Sequence, residues 1–257
     1  PLVAVADEDT AGHWAFQRLV DPKVPVVRNA AWIRTPIDSF ILEILERKGL
    51  HPAPPADPRT FLRRLHVNLT GLVPTFKEVE AYAGSAADDQ KSVIDRLLAS
   101  PRFGERWARH WLDVARYSDT KGYAYAPEEF TFVHGWLFRD WVARAFNDDL
   151  PFDQFLMRQL AADHLLAHGK CDLPDLAAMG FLTLGRRFIG VEQDIIDDRI
   201  DVVTRGMLGL TASCARCHDH KYDPIPQADY YSLYGVFRSS SQPLLPPVLE
   251  QVSDTED

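Results

Sequence analysis

The stretch from Arg102 to Asp119, RFGERWARHWLDVARYSD, carries the clearest helical pattern in the chain. Its apolar side chains recur every three or four residues, which is the spacing of one face of an α-helix. That face combines aromatic and aliphatic side chains with a single histidine: Phe103, Trp107, His110, Trp111 and Val114. Because such a face is stabilised by packing on other apolar surface, the stretch predicts a helix within a helical core.

Helical patterns continue on the N-terminal side of this stretch. Thr35 is a predicted N-cap and Gly49 a predicted stop of a first helix. Its predicted buried face is Ile37, Phe40, Ile41, Ile44 and Leu45. Asp57 is predicted to open the next helix, and Thr75 and Glu78 have the spacing of a capping box. Each helix therefore has a start signal with a physical basis.

Further helices are predicted over 87–100, 128–146, 151–168, 175–185, 192–212 and 227–238. Trp136, Leu137 and Trp141 are predicted to be buried in the second of these. No hairpin signal separates two alternating runs, and no internal repeat is present. The sequence predicts an all-α fold with one multi-helix domain at 35–240, an irregular N-terminal arm at 1–34 that packs on it, and a tail or linker at 241–257.

The composition excludes several classes of protein. With 257 residues, 46% of them hydrophobic and 25% charged, the chain matches a globular protein with a sizeable core. A net charge of −9 argues against nucleic-acid binding, which usually needs a basic surface. No apolar run reaches the roughly 18 residues that span a bilayer. The opening residues lack a signal-peptide pattern, and a start at proline indicates a processed or trimmed form.

Two of the three cysteines lie in a second informative stretch, SCARCHDHKYDPI, which begins at Ser213. Cys214, Cys217 and His218 form a C-x-x-C-H motif that zinc, a disulfide, a reactive thiol pair or haem could explain. Zinc normally needs a second ligand pair, which His220 and a remote histidine would have to supply. A redox pair normally accompanies a βαβ pattern, which is absent, and a disulfide would close a strained small loop.

Haem is the favoured ligand of this motif, because C-x-x-C-H is the attachment signature of c-type cytochromes. The thiols of Cys214 and Cys217 would bind the vinyl groups, and His218 would be the proximal iron ligand. The preceding stretch, DVVTRGMLGLTAS, is expected to be a helical haem-packing element. Lys221 is a candidate partner of a haem propionate. Cys171 lies in a polar stretch and is expected to be an unpaired thiol.

The other side of the iron is either open or filled by a residue from elsewhere in the chain. His110 is the first candidate, because an imidazole on an apolar face needs a partner. The alternative is an ordinary core histidine bonded to a backbone carbonyl. The further candidates are His13, His134, His164, Met157 and Met179. Arg106 and His110 also have the i, i+4 spacing of a catalytic pair that could polarise and protonate a bound peroxide.

Two other polar or aromatic clusters have simpler explanations. Four polar or aromatic residues at the end of the 102–119 stretch are expected to form surface i, i+3 pairs: Asp113, Arg116, Tyr117 and Asp119. The aromatic stretch YSDTKGYAYAPEEF could stack on sugar rings, but a packed connector is the favoured interpretation.

Four stretches together resemble the planctomycetal cytochrome c-like domain family: HWAFQ, GERWARHWLDVARYSDTKGY, NDDLPFDQFLMRQLAAD and LGLTASCARCHDHKYDPIPQADYYSLYGVF. The resemblance extends from about His13 to about Phe237. It implies haem c binding and an exported, periplasmic location. Members of the family often carry flanking domains, which are not seen in this sequence, and are often associated with glycan breakdown.

Three functions are consistent with these observations. The leading hypothesis is an exported mono-haem c-type domain that transfers electrons to or from a partner oxidoreductase. The alternative is a haem enzyme with an open iron site that oxidises a small molecule or a glycan. The third hypothesis is a zinc-binding interaction module.

Overall fold

The computed structural model describes residues 13–83, 90–121, 131–185 and 190–242. Within these ranges the chain forms ten α-helices and no β-strand, apart from an isolated bridge between Thr120 and Thr131. The helices are α1 (Pro36–Arg47), α2 (Pro58–Thr70), α3 (Phe76–Ala83), α4 (Gln90–Leu98), α5 (Pro101–Val114), α6 (Gly135–Asn147), α7 (Phe152–Ala167), α8 (Gly180–Thr183), α9 (Glu192–Val203) and α10 (Gln227–Arg238). The all-α prediction is confirmed.

The predicted start signals act as N-caps. The Asp57 carboxylate accepts a hydrogen bond from the Thr60 amide at 3.1 Å and caps α2. Thr75 and Glu78 form the reciprocal bonds of a capping box at the start of α3, with 2.8 Å from the Thr75 amide to Glu78 Oε2. Thr35 precedes α1 and forms a capping box with Asp38.

The largest core lies between α5, α6, α7 and α8. Its fully buried aromatic side chains include Phe138, Trp141, Phe155 and Phe181. Trp111 packs against this cluster and donates from its indole Nε1 to Gln159 Oε1 at 2.6 Å, so its one polar atom is satisfied. A 3₁₀ turn over Leu173–Met179 closes the cluster on the side of α7.

Two smaller cores flank the large one. Leu62, Tyr82, Val93 and Leu97 join α2, α3 and α4. The other small core joins α9, α10 and a 3₁₀ turn between them, Ala212–Arg216. Its buried members are Ile196, Ile200, Ala212, Ala215 and Tyr230. This second small core supports the C-x-x-C-H motif.

Several predicted faces are wrong. On α1 the buried residues are Ser39 and Leu42, while Ile37, Ile41 and Ile44 are exposed. On α5, Trp107 is 38% exposed and Val114 is 43% exposed, because the helix buries Gly104 and Ala108 instead. On α6, Trp141 is buried as predicted, but Trp136 is 46% exposed. Periodicity identified these helices but not the side that packs.

Some predicted helix limits also differ. The helix predicted over 192–212 ends at Val203, continues as a π turn over Thr204–Leu208, and stops at Gly209, whose φ is +70°. The segment expected to pack on haem is therefore only partly α-helical. The helix predicted from 128 begins at Gly135, and 122–130, which contain most of the aromatic stretch, lie outside the described residues. No helix of the described ranges is long and apolar enough to cross a bilayer.

The carboxylate of Glu46 on α1 binds the N-terminal arm. The backbone amides of Arg28 and Asn29 both donate to Glu46 at 3.0 Å, and the bond from Arg28 is the largest cause of the lowered pKa of Glu46. Most residues between 13 and 34 are exposed. The predicted domain limits at 34 and 240 stay predictions.

Candidate functional site

The C-x-x-C-H motif lies in the connection between α9 and α10. Gly209 adopts a left-handed conformation that ends the π turn, and the chain then forms the 3₁₀ turn Ala212–Arg216. This turn packs against α9 and α10. The motif is thus held by two helices, not by a helix of its own.

In this turn the alanines face the helices, and the side chains of the C-x-x-C-H motif face solvent. Ala212 is 2% exposed and Ala215 is fully buried, both in the core shared by α9 and α10. Cys214, Cys217 and His218 are all exposed. The small alanine side chains let the turn lie close to the helices, and the two thiols and the imidazole are accessible from solvent.

Arg216 fastens the motif through both its side chain and its main chain. Its guanidinium donates to Asp194 on α9 at 3.1 Å, and this bond is the largest cause of the raised pKa of Arg216. Its backbone carbonyl accepts from the Tyr231 hydroxyl at 3.0 Å and from Gln227 Nε2 at 3.2 Å, both on α10. The residue just before the second cysteine is therefore bonded to both supporting helices.

The imidazole of His218 has a defined tautomer. Its Nδ1 lies 2.7 Å from the backbone oxygen of Asp219, and because a carbonyl only accepts, Nδ1 carries the hydrogen. In the neutral imidazole Nε2 then has an available lone pair, and this is the form of histidine that binds a metal. The Asp219 carboxylate in turn accepts from the Gln227 amide at 2.7 Å, at the start of α10.

His220 holds the loop that follows the motif. It is 8% exposed, and its Nδ1 accepts from the amides of Asp223 at 2.8 Å and Tyr222 at 3.3 Å. Nε2 then carries the hydrogen and lies 3.4 Å from the Thr211 hydroxyl. The 3.3 Å approach of Nδ1 to the Asp223 carboxylate is not an ion pair in this tautomer, because Nδ1 is an acceptor. Both ring nitrogens of His220 are therefore occupied by contacts with nearby residues.

The residues proposed for the other side of the iron lie on other elements. His110 is exposed on α5 with its ring 5.5 Å from that of Trp107. The side chain of Arg106 lies against Gly71 at the end of α2, and its Nε is buried without a hydrogen bond. Within the described residues, Arg106 and His110 thus pack against different neighbours.

The remaining candidates are distributed over the fold. His134 is exposed just before α6, and His164 and Met157 are exposed on α7. Met179 ends the 3₁₀ turn before α8, and His13 caps the turn Trp14–Phe16 with its Nδ1. In a separate position, Lys221 extends over the ring of Tyr222, with Nζ 5.0 Å from the ring centroid.

All three cysteines are unpaired thiols. Cys171 is half-buried and donates from Sγ to the Ala162 carbonyl at 3.4 Å. Burial raises the pKa of the Cys171 thiol. In the described part of the chain, no group of three or more His, Cys, Asp or Glu side chains is arranged around a metal position.

One polar cluster is wrongly predicted from the sequence. Arg116, expected on the surface, forms a two-pronged ion pair with Asp198 on α9, with its Nε 3.0 Å from Asp198 Oδ2. Its Nη1 also donates to the Phe181 carbonyl at 2.9 Å. The bond from the Tyr117 hydroxyl to Asp119, 2.6 Å, is local. The partner of Arg116 is 82 residues away, so its local spacing gave no signal.

The contacts that hold the motif against α9 were not predicted from the sequence either. The acidic run of α9 contains Asp194, and Ala215 is the buried residue between the two cysteines. The acidic run was visible in the sequence, but nothing indicated that it faces Arg216.

Comparison with known proteins places the chain in a family. The model of the family PSCyt2, described as a protein of unknown function (DUF1549), matches residues 36–242. No curated protein and no solved structure matches the chain. The match spans the described helices from α1 to α10, and it confirms the resemblance to a planctomycete-associated family. The chain belongs to the PSCyt2 family.

Proposed function

We propose that this protein is a mono-haem c-type domain that transfers electrons. The observation that carries the proposal is the exposed set of Cys214, Cys217 and His218, with the lone pair of His218 Nε2 free. Two thiols and one imidazole in a single short segment are the donors that haem c attachment requires. These residues fit the group.

In this proposal the two cysteines hold the cofactor and the histidine binds its iron. Each thiol adds across a vinyl double bond: the sulfur bonds to one carbon, the thiol hydrogen goes to the other, and no group leaves. When bound, haem supplies a one-electron couple. The exposed position of the attachment residues supports electron exchange with a partner protein at this surface.

The arrangement of other residues favours a carrier over a peroxidase-like enzyme. A distal arginine and histidine would have to converge on one substrate position. Arg106 lies against Gly71, while His110 stands in solvent beside Trp107. In the proposal His110 remains the first candidate for the far side of the iron, and Lys221, now over Tyr222, for a propionate.

The location and partners belong to the same proposal. Covalent haem attachment takes place outside the cytoplasm, so the domain is expected in the periplasm, next to an electron donor or acceptor protein. A glycan and further domains of a longer protein are additional proposed partners.

Mass spectrometry of protein matured with a c-type haem assembly system tests this function. The wild-type chain is expected to gain the mass of one haem, which acid–acetone does not extract. The double variant Cys214→Ala, Cys217→Ala is expected to gain none. Cys171→Ala is the matched control, since it removes a half-buried thiol outside the motif, and is expected to keep full haem content. Covalent haem in the double variant would overturn the proposal.

Two further readouts separate the alternatives. A six-coordinate spectrum that cyanide leaves unchanged supports a carrier, whereas a high-spin spectrum that cyanide shifts supports an enzyme with an open iron. Stoichiometric zinc in a colourless product supports the interaction module.

A further inference from the structure

The position of the two cysteines depends on contacts from outside their own segment. The 3₁₀ turn that contains Cys214 and ends just before Cys217 is five residues long, and all three cysteines of the chain are free thiols. A turn of this length has few hydrogen bonds of its own. Its geometry must therefore come from the helices on which it packs, α9 and α10.

Two kinds of contact supply that geometry. Ala212 and Ala215 bury their methyl groups in the core between the helices, which fixes the depth of the turn. Arg216 fixes its orientation, because the guanidinium is bonded to Asp194 on α9 and the carbonyl to Tyr231 and Gln227 on α10. The bonds of Arg216 add directional contacts to both helices, and of these the bond to Asp194 is the one that depends on the Arg216 side chain.

We infer that Arg216 is a positioning residue for haem attachment, which holds Cys217 and Cys214 at the separation required for two thioether bonds. This inference rests on the proposed function. Arg216 precedes Cys217 directly, and it is the last residue of the turn that contains Cys214. Without the guanidinium bond, the second half of the turn and Cys217 gain freedom relative to Cys214.

The ion pair between Arg216 and Asp194 is partly exposed and lies beside a second carboxylate of α9. Asp197 lies further away, with its Oδ2 3.9 Å from the same Arg216 nitrogen, so two carboxylates of α9 surround the guanidinium. The Arg216 and Asp194 side chains are 40% and 39% exposed. A pair with this exposure contributes little to global stability, so its loss should leave the domain folded.

The expected consequence is a change in the kind of attachment. Each thioether forms by addition of one thiol across one vinyl group, and the two additions need both sulfurs in register with the porphyrin. If Cys217 is free to move, one addition still proceeds and the second becomes slower. The product should then shift from two thioether bonds to one.

The test compares Arg216→Ala with Arg205→Ala in the full chain, matured with a c-type haem assembly system. Arg205 also pairs with an α9 carboxylate, Asp201, at 2.8 Å, but lies outside the motif, so it controls for loss of an arginine. Peptide mass spectrometry gives the ratio of doubly to singly attached haem. Arg216→Ala is expected to lower this ratio at least several-fold, Arg216→Lys to restore part of it, and Arg205→Ala to leave it unchanged.

Hydrogen exchange of the haem-free protein provides a readout that does not involve the cofactor. The peptide spanning 212–220 should exchange several-fold faster in Arg216→Ala than in wild type, with other peptides unchanged. Equal exchange and an unchanged ratio of attachment would overturn the role of Arg216. A wild-type chain that binds no haem would instead overturn the proposed function, and the exchange result would still show whether Arg216 orders the turn.

Discussion

The side chain of Glu78 accepts three hydrogen bonds, two from Thr75 at the start of α3 and one from Arg96 on α4. Its carboxylate accepts from the Thr75 amide and hydroxyl, both at 2.8 Å, and from Arg96 at 2.8 Å. The bond from the Thr75 amide is the largest cause that lowers the pKa of Glu78 to about 2. Nearby, burial lowers the pKa of His66, whose Nε2 lies 4.0 Å from Glu78. Both groups therefore favour the fold in the charge state of neutral pH.

The sign of the pH dependence follows from these directions. A carboxylate with a lowered pKa stabilises the fold fully above its unfolded pKa, near 4.5, and loses this contribution as the pH falls through about 2. The pKa of His66 is lower in the folded protein than in the unfolded chain. As the pH drops below 6.5, the unfolded chain is protonated first, so the free energy of unfolding falls here too. Acid therefore weakens the corner formed by α2, α3 and α4 through both groups.

Glu78→Gln is expected to lower the free energy of unfolding by about 1–2 kcal/mol at pH 7, since it removes the charged cap. The difference from wild type should shrink at pH 3, because the carboxylate then contributes less. Urea unfolding at the two pH values measures it. Glu80→Gln is the control, since Glu80 makes an exposed ion pair with Arg59 at 3.0 Å and takes no part in the cap. A difference that is equal at both pH values would contradict the role of the charge.

At the scale of single residues, local bonds were predictable and distant ones were not. The caps at Asp57 and Thr75 follow from sequence spacing, because donor and acceptor lie within three residues. The C-x-x-C-H motif was also recognised from spacing, and its role as a set of haem ligands stays a proposal. The bonds from Arg216 to Asp194 and from Arg116 to Asp198 span 22 and 82 residues, and only the fold brings them together.

At the scale of elements, the contact between α5 and α6 depends on a glycine. Gly104 is buried, and its amide donates to Asn147 Oδ1 at 2.8 Å. A Cβ at this position would collide with the Ala143 carbonyl oxygen on α6. The close approach of the two helices, which places Ala108 in the main core, therefore requires the absence of a side chain at 104.

Gly104→Ala is expected to destabilise the protein by about 1–3 kcal/mol, because the helices must separate. Gly235→Ala, on α10, is the matched control: apart from its chain neighbours and its own helix backbone, no atom of the described residues lies within 4 Å of the place that its methyl group would take. Alanine should therefore stabilise the helix by about 0.5–1 kcal/mol. Urea unfolding of both variants measures the effects. Destabilisation of equal size in the two variants would show that steric contact is not the cause.

The elements themselves were largely predictable, but their orientation was not. The spacing of apolar residues in α5 sufficed to find that helix, and α10 has the predicted limits 227–238. The predicted buried faces failed where apolar residues surround the helix, as at Ile37 and Leu42 on α1. On such helices the packing partner, not the helix, decides which side is buried.

At the scale of the whole molecule, α9 joins the parts of the fold through its acidic side chains. Asp198 bonds Arg116, which follows α5, and Asp194 bonds Arg216 in the C-x-x-C-H turn. Glu192 pairs with Arg238 at the end of α10, at 2.9 Å. One helix thus positions the main core, the candidate site and the last helix relative to one another.

This organisation predicts that the domain folds without haem. The three cores consist of protein side chains, and the cysteines of the motif are exposed. Haem-free wild type and the double variant Cys214→Ala, Cys217→Ala should both be mainly helical by circular dichroism. Their cooperative transitions should differ in Tm by no more than about 4 °C, since surface substitutions cost less than about 1 kcal/mol. A haem-free chain without a cooperative transition would contradict the prediction.

The all-α class and the candidate ligands could be read from the sequence, because both depend on short-range patterns. The side on which the motif is displayed depended on Ala215 and on the packing between α9 and α10, which no local pattern encodes. The proposed role of His110 as an iron ligand is a question of the same kind, since His110 lies about a hundred residues before the motif.

Covalent haem attachment is best tested by an absorption spectrum of the wild-type chain after maturation by a c-type haem assembly system. Oxidised and reduced spectra are recorded before and after acid–acetone extraction, with and without cyanide. We expect a c-type spectrum that stays with the polypeptide after extraction and does not change with cyanide. A colourless protein, or a pigment that leaves with the solvent, would contradict covalent attachment at Cys214 and Cys217.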